Sequence, residues 1–214
     1  MSFNVVIPAQ EANQYHKDGD LAPFGDTSLL EWKIAQCKEF AQNWQIYISS
    51  HSKKIEEVAK RESVRFLPRL ENESYAQTMQ TTLSQLQSQY IIWTHCTTPF
   101  ISADLYQNMY QQFLDSQAQT LISARKIQEF VFYRGTKLNF IDNLSARSKL
   151  EPIYIVSNGC FIFKRLDALQ AKTFFLPDCK LFLLDNLSGI EIKDAQDYLT
   201  TKELIALYFR KEVL

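Results

Sequence analysis

The chain has 214 residues, 46% hydrophobic and 22% charged, with a formal net charge of −1. That balance suits one soluble α/β domain with its own core, and it offers no general positive field for nucleic acid, an anionic membrane or an acidic substrate, so any anion must be held by local groups. No apolar run reaches the about 20 residues that span a bilayer, and Pro8 interrupts the first apolar run too early for a secretory signal.

The four cysteines, Cys37, Cys96, Cys160 and Cys179, show neither CxxC nor Cys/His ligand spacing. They read as small hydrophobes in a reducing cytoplasm. Val5, Val6 and Ile7 have the pattern of a fully buried strand that Pro8 stops. Residues 9–26 carry Asn13, Gly19, Pro23 and Gly25 without an apolar period, which is loop chemistry. Thr27 or Ser28 can cap a helix over 29–42, with Glu31 three positions after Ser28 completing a capping box and Leu29, Leu30, Ile34 and Cys37 forming its apolar face. A long first loop of this kind, at the carboxyl end of a parallel sheet, is where α/β proteins hold phosphate-bearing ligands.

Further along, a strand over 44–49 precedes a helix that Ser50-His51-Ser52 caps and that runs through Lys60. A short strand over 64–67 ends at Pro68-Arg69, and a helix over 74–88 turns Met79, Leu83 and Leu86 inward. Tyr90-Ile91-Ile92-Trp93-Thr94 is the most strongly apolar strand; a helix starts near Ser102 or Asp104, and another strand covers 120–124. This alternation predicts βαβ units and a three-layer α/β fold with a mostly parallel twisted sheet, Rossmann-like, in a single domain over 1–214. The period then changes. Residues 129–133 and 137–140 flank Arg134-Gly135-Thr136 as a β-hairpin excursion, and 142–149 form a polar loop. Strands follow over 154–156, 159–163, 181–184 and 190–192, with a short helix from Leu166 and a last helix from Asp194 through Arg210.

The opening run resembles the N-terminus of the acylneuraminate cytidylyltransferases, the family of the CMP-sialic acid and CMP-Kdo synthetases. Their signature, roughly PARxGSKxxxxKN, lies on Pro8 to Asp20 without a gap. Its cations do not carry over: Gln10 stands at the first Arg, Asn13 at the Ser, Gln14 at the Lys, and Gly19-Asp20 at the Lys-Asn pair. His95-Cys96-Thr97-Thr98-Pro99 is similar to the family's Q/N-x-T-S-P turn. Arg69 matches an Arg-Pro that helps to seat the cytidine, with Thr78 or Ser74 as the following hydroxyl. Asn158-Gly159 looks like the family's N-G-x-x-Y/F strand, which Arg147 precedes. Ile190 to Leu199 resembles IDIDTPEDL, whose two alternate Asp residues hold magnesium; here they are Glu191 and Lys193.

The resemblance implies a nucleotidyltransferase fold and transfer of CMP from CTP to a small acidic acceptor such as a sugar acid, with release of pyrophosphate. It assigns the nucleotide to Ala9, Gln10, Asn13, Arg69, Thr78 and Thr97, and the acceptor to His95, Arg147 and Asn158. Gln10 and Lys193 fall at its catalytic positions, and a regrouped Mg²⁺ site would draw on Glu191, Asp18 and Asp20. It also implies a homodimer joined through the hairpin at 129–140. The plain readings stay open beside these: a hydrogen-bonded strand-end histidine for His95, a surface arginine for Arg69, a solvated charge for Arg147, and a tight turn at Asn158-Gly159. So does a non-catalytic relative that keeps the fold as a binding or scaffold protein.

Overall fold

The structure, a computed structural model, describes residues 2–141 and 146–211. Seven strands form one sheet: β1 (Phe3–Pro8), β2 (Ile46–Ser50), β3 (Arg65–Pro68), β4 (Tyr90–Trp93), β5 (Thr120–Ile127), β6 (Ile153–Lys164) and β7 (Cys179–Leu184). Their spatial order is β7-β5-β6-β4-β1-β2-β3. Every pairing is parallel except those of β6, which runs antiparallel to both β4 and β5. The strand order reverses between β1 and β4, and in open α/β sheets a ligand crevice forms at the carboxyl ends of strands at such a point.

Alternating side chains of the buried strands feed two cores. Val5, Ile7 and Ile92 pack under α1 (Leu29–Lys38), α2 (Lys53–Arg61), α4 (Ala103–Ser116) and α6 (Ala195–Lys211). Val6, Ile91 and Trp93 face α3 (Tyr75–Ser84) and α5 (Arg165–Ala171). The three-layer arrangement follows from strands that are apolar on both faces.

Helix starts follow the sequence closely. Ser28 and Glu31 form the capping box of α1, Ser52 caps α2, Ser102 caps α4, and Asp194 accepts from Asp197 N at the start of α6. Helix ends come sooner than periodicity suggests: α1 stops at Lys38 and α3 at Ser84. Trp44 lies outside the second strand, in a short 3-10 turn, because that strand takes its register from Ile46 opposite Val5.

The expected strands over 154–156 and 159–163 are one strand, β6, with a bulge between Val156 and Phe161. At Gly159 an added Cβ would sit 2.3 Å from Ile101 Cδ1, so the bulge carries the residue that tolerates the approach. Residues 190–192 are not a strand; the segment crosses the ends of the sheet, and Ile192 N bonds Thr97 O instead of a ladder partner. The hairpin is present in short form, with Phe132–Tyr133 paired to Thr136–Lys137 around Arg134 and Gly135 at φ 50° and 79°, the left-handed pair that a type I′ turn needs. Of the polar loop over 142–149, residues 142–145 lie outside the described residues, and Arg147–Lys149 form a 3-10 turn.

Candidate active site

The first loop is closed by its own side chains. Asp20 is buried, accepting from the Tyr15 hydroxyl at 2.7 Å and from Gln10 N at 2.7 Å, while Asp20 N donates to Gln10 O at 2.8 Å. Burial pushes its carboxyl above the usual carboxylate range, against the pull of those donors. Glu11 fastens the loop to the start of α2 through the Ser52 hydroxyl and Lys54, both at 2.5 Å. The loop's other side rests on α6, where Tyr198 stacks near Tyr15 and donates to Pro23 O at 2.6 Å.

Thus held, the loop borders a cavity of about 160 Å³ at the carboxyl ends of β1 and β4. Pro8, Gln10, Asn13 and Asp20 line one side. Arg69 and Glu73 enter from the turn after β3, Tyr75 and Thr78 from α3, and His95, Cys96 and Thr97 from the turn after β4. Arg69 bridges these walls: its guanidinium donates to Ala9 O at 3.2 Å and Thr78 Oγ1 at 3.3 Å. It is the only residue with a fixed positive charge among those lining the cavity. Its Nε and the Glu73 Oε2 are buried and have no hydrogen-bond partner among the described residues, although Glu73 Oε1 accepts from Thr81.

A directed chain of hydrogen bonds runs along the far wall. Trp93 Nε1 donates to the Tyr75 hydroxyl at 3.0 Å, which lies 3.0 Å from His95 Nε2; His95 Nδ1 lies 2.8 Å from Asn158 O. A carbonyl can only accept, so Nδ1 carries the proton and Nε2 accepts from Tyr75. Burial depresses the His95 pKa to about 4, which keeps the ring neutral at pH 7. Asn158 Nδ2 continues the chain to Glu191 Oε1 at 2.7 Å.

Of the residues that the sequence singles out, Gln10, Asn13, Asp20, Arg69, Thr78, His95 and Thr97 meet in this cavity. Ala9 contributes its carbonyl through Arg69, and Asn158 reaches the cavity through His95. Arg147 lies on the excursion, where it forms a two-point pair with Glu129, its Nε 3.1 Å from Oε2 and its Nη1 3.3 Å from Oε1.

The three carboxylates expected to share a metal do not meet. Asp18 sits 3.7 Å from His16 Nδ1, Asp20 is buried against Tyr15, and Glu191 is engaged by Asn158. Among the described residues no three His, Cys, Asp or Glu side chains are grouped to hold a metal ion.

Glu73, Tyr75, Cys96 and Pro8 also line the cavity, and sequence reasoning missed them. For Glu73 and Tyr75 the available signal was proximity in sequence to Arg69 and to the Ser74 cap. A second cavity, about 600 Å³, opens between α1, α4 and the turn at Asp185 and Ser188. It shares no lining residue with the first.

A mostly parallel sheet whose order reverses at a cleft bordered by a long first loop is the arrangement of an α/β nucleotidyltransferase fold. The model of the MobA-like NTP transferase domain matches residues 11–170. The chain therefore belongs to the family with the MobA-like NTP transferase domain.

Among solved structures, CMP:2-keto-3-deoxy-manno-octonic acid synthetase complexed with CTP superposes with a TM-score of 0.75 at 13% identity, over 97% of this chain and 100% of that one. 4-Diphosphocytidyl-2C-methyl-D-erythritol synthase from Anaerococcus prevotii gives 0.69 at 14% identity, over 95% and 98%. A cytidylyltransferase from Leptospira borgpetersenii gives 0.67 at 17%, over 97% and 87%. At these identities the likeness is one of fold. No curated protein matches the chain.

Proposed function

We propose that this protein transfers a nucleotidyl group and that its nucleotide is CTP. The observation that carries the reading is the cavity at the carboxyl ends of β1 and β4, whose lining includes both Arg69, a donor, and Glu73, an acceptor. A ligand edge bearing one acceptor and one donor is complementary to these two side chains. Cytosine has such an edge: its amino group suits a carboxylate, and its N3 or O2 suits a guanidinium. Uracil turns a carbonyl oxygen toward the carboxylate where cytosine has the amino group. The fold likeness to proteins described as bound to CTP or as cytidylyltransferases supports the same choice.

In the reaction an oxygen of the acceptor attacks the α-phosphorus of CTP. A new P–O bond forms, the bond to the bridging oxygen breaks, pyrophosphate leaves, and a hydroxyl acceptor loses its proton. The protein's contribution is alignment of the reacting groups. The acceptor is a sugar acid or a related surface-polysaccharide precursor. It would lie against His95 and Asn158, and Arg147 would exchange Glu129 for its carboxylate.

Calorimetric titration with CTP, UTP, GTP and ATP tests this. CTP is expected to bind at least about tenfold more tightly than UTP, which is about 1.4 kcal/mol. Glu73→Gln, whose amide can donate to a uracil carbonyl, should narrow that preference. Equal binding of CTP and UTP would remove the base assignment. Binding of no nucleotide would favour the second reading, a cytidylyltransferase-like scaffold or binding protein, which the scarcity of cations around the cavity supports.

The excursion supports a homodimer. Phe132, Tyr133, Leu138 and Ile141 are exposed there, and Tyr154, Ile155 and Val156 are exposed on the adjoining half of β6. A second copy would cover this patch. Sedimentation equilibrium should give twice the chain mass for the native protein and a shift toward the monomer for Phe132→Asp. A native monomer at tens of micromolar would contradict the dimer.

A further inference from the structure

The second cavity, between α1, α4 and the turn at Asp185 and Ser188, has no part in the nucleotide reading. At about 600 Å³ it has the size of a small-molecule pocket. Its walls are largely apolar: Trp32 and Phe100 supply rings, and Leu105, Leu187 and Ile205 supply aliphatic surface. Its charge has one sign. Glu39, Asp104 and Asp185 line it, and no Lys, Arg or His does so among the described residues.

Each carboxylate arrives by a different route. Glu39 stands at the C-terminal end of α1, Asp104 in the first turn of α4, and Asp185 directly after β7. Glu39 and Asp104 are exposed and have no ion-pair partner among the described residues. Asp185 is fixed in place, accepting from Ser188 N at 2.9 Å, Ser188 Oγ at 2.8 Å and Leu187 N at 2.8 Å. The Ser188 donors hold its carboxyl below the usual carboxylate range, so it is charged at pH 7.

The wall toward the nucleotide cavity is a single turn. Pro99 O accepts from Trp32 Nε1 and Gln36 Nε2, both at 2.7 Å, Thr98 O accepts from Lys33 at 2.8 Å, and Thr97 O accepts from Ile192 N at 2.8 Å. Successive carbonyls are thus held from α1 and from the segment before α6. Thr97 faces the first cavity and Pro99 the second.

We propose that the second cavity binds a small organic cation, an amine or guanidinium carried on an aromatic or branched apolar body. The apolar walls match the body, aromatic rings attract cations, and carboxylates of one sign raise the local concentration of positive ligands. The same field opposes anions, nucleotides included. A cation without an apolar body would leave the rings and aliphatic side chains in water. The two cavities share no lining residue, so binding here is separable from CTP binding.

The test is a chemical-shift titration of the ¹⁵N-labelled full chain with 2-phenylethylamine, 3-phenylpropionate and putrescine. The second probe has the same ring and the opposite charge, and the third is a cation without the ring. 2-Phenylethylamine should bind at least about tenfold more tightly than either of the others. Its shifts should centre on Trp32, Gln36, Leu105 and Ser188 and reach Thr97 through the shared turn. Glu39→Gln combined with Asp104→Asn should weaken it by about fivefold. Both side chains are exposed, so circular dichroism should show that variant folded like the native protein. Equal binding of the amine and the carboxylate would overturn the proposal. So would shifts centred on Asn13, Thr78 and His95, or no binding of the amine up to about 20 mM. A chain that binds the amine here and binds no nucleotide would overturn the CTP reading and support this site.

Discussion

Gly19→Ala will open the first loop and weaken nucleotide binding. Gly19 sits at φ +51°, and a Cβ there would lie 2.3 Å from Gln10 O, 2.7 Å from Ala12 N and 2.8 Å from Glu11 C. These are backbone atoms, which cannot rotate aside as a side chain can. The left-handed conformation alone costs an L-residue about 1–2 kcal/mol. Relieving the contacts would also separate Asp20 from Gln10, and with it the pair of bonds that closes the loop. A loss of roughly 3 kcal/mol or more in unfolding free energy is expected. CTP affinity should fall by at least about tenfold, read from denaturant melts and calorimetry on the same samples. A variant that melts and binds like the native protein would mean that the loop is not held as described.

The second large effect concerns Lys33, a fully buried amine in α1. It donates to Thr98 O at 2.8 Å and to the Tyr106 hydroxyl at 2.9 Å, with its Nζ 5.3 Å from the Tyr106 ring centroid. Burial lowers its pKa to about 8, and no carboxylate contributes to offset it. The folded form therefore releases a proton that the unfolded chain keeps until about 10.4. Stability from this group rises with pH across that window, by about 3 kcal/mol in all.

Buried Cys37, Cys96 and Cys160 act in the opposite sense. Their thiols are pushed up, so their contribution falls as alkaline pH ionises the unfolded chain. The clean readout is a difference. At pH 7 Lys33→Met should be at least as stable as the native protein, since it removes a desolvated charge. That advantage should shrink by about 3 kcal/mol between pH 8 and 10.5 in denaturant titrations. A gap that stays constant with pH would mean that Lys33 titrates as in water.

Lys33 also marks the limit of what the chain reveals by itself. Four residues from both Leu29 and Cys37, it falls within the apolar face of α1, but the acceptor that lets an amine be buried there, Thr98 O, comes from a turn 65 residues away. Features set by neighbours in sequence were legible. The Ser28–Glu31 box, the Ser52 and Ser102 caps, the Arg134-Gly135 turn and the buried Tyr90–Trp93 strand all follow from local chemistry. Features set by long-range contact were not. Residues 190–192 have the composition of a strand, but Ile192 N bonds Thr97 O in the turn after β4 rather than an edge strand of the sheet. β6 reads as two short strands because its bulge falls at Ser157 to Cys160.

The site divides along the same line. The turns after β1, β3 and β4 could be placed from residue order, and Gln10, Arg69 and His95 from those turns line one cavity. The partner of each carboxylate could not. Asp20 looked available for a metal, yet Tyr15 claims it from within the same loop, and Glu191 meets Asn158 across the cleft. Glu73 carries no signal of its own in the sequence beyond its place between Arg69 and the Ser74 cap, and only the structure brings it into the cavity.

The central claim is that the cavity between the first loop and α3 receives the base of CTP. The most direct measurement is a crystal structure of the protein soaked with CTP. The account predicts cytosine in that cavity, its amino group within hydrogen-bond distance of the Glu73 carboxylate and its N3 or O2 on the Arg69 guanidinium. CTP found in the larger cavity between α1 and α4, or a base that leaves both groups unpartnered, would contradict it.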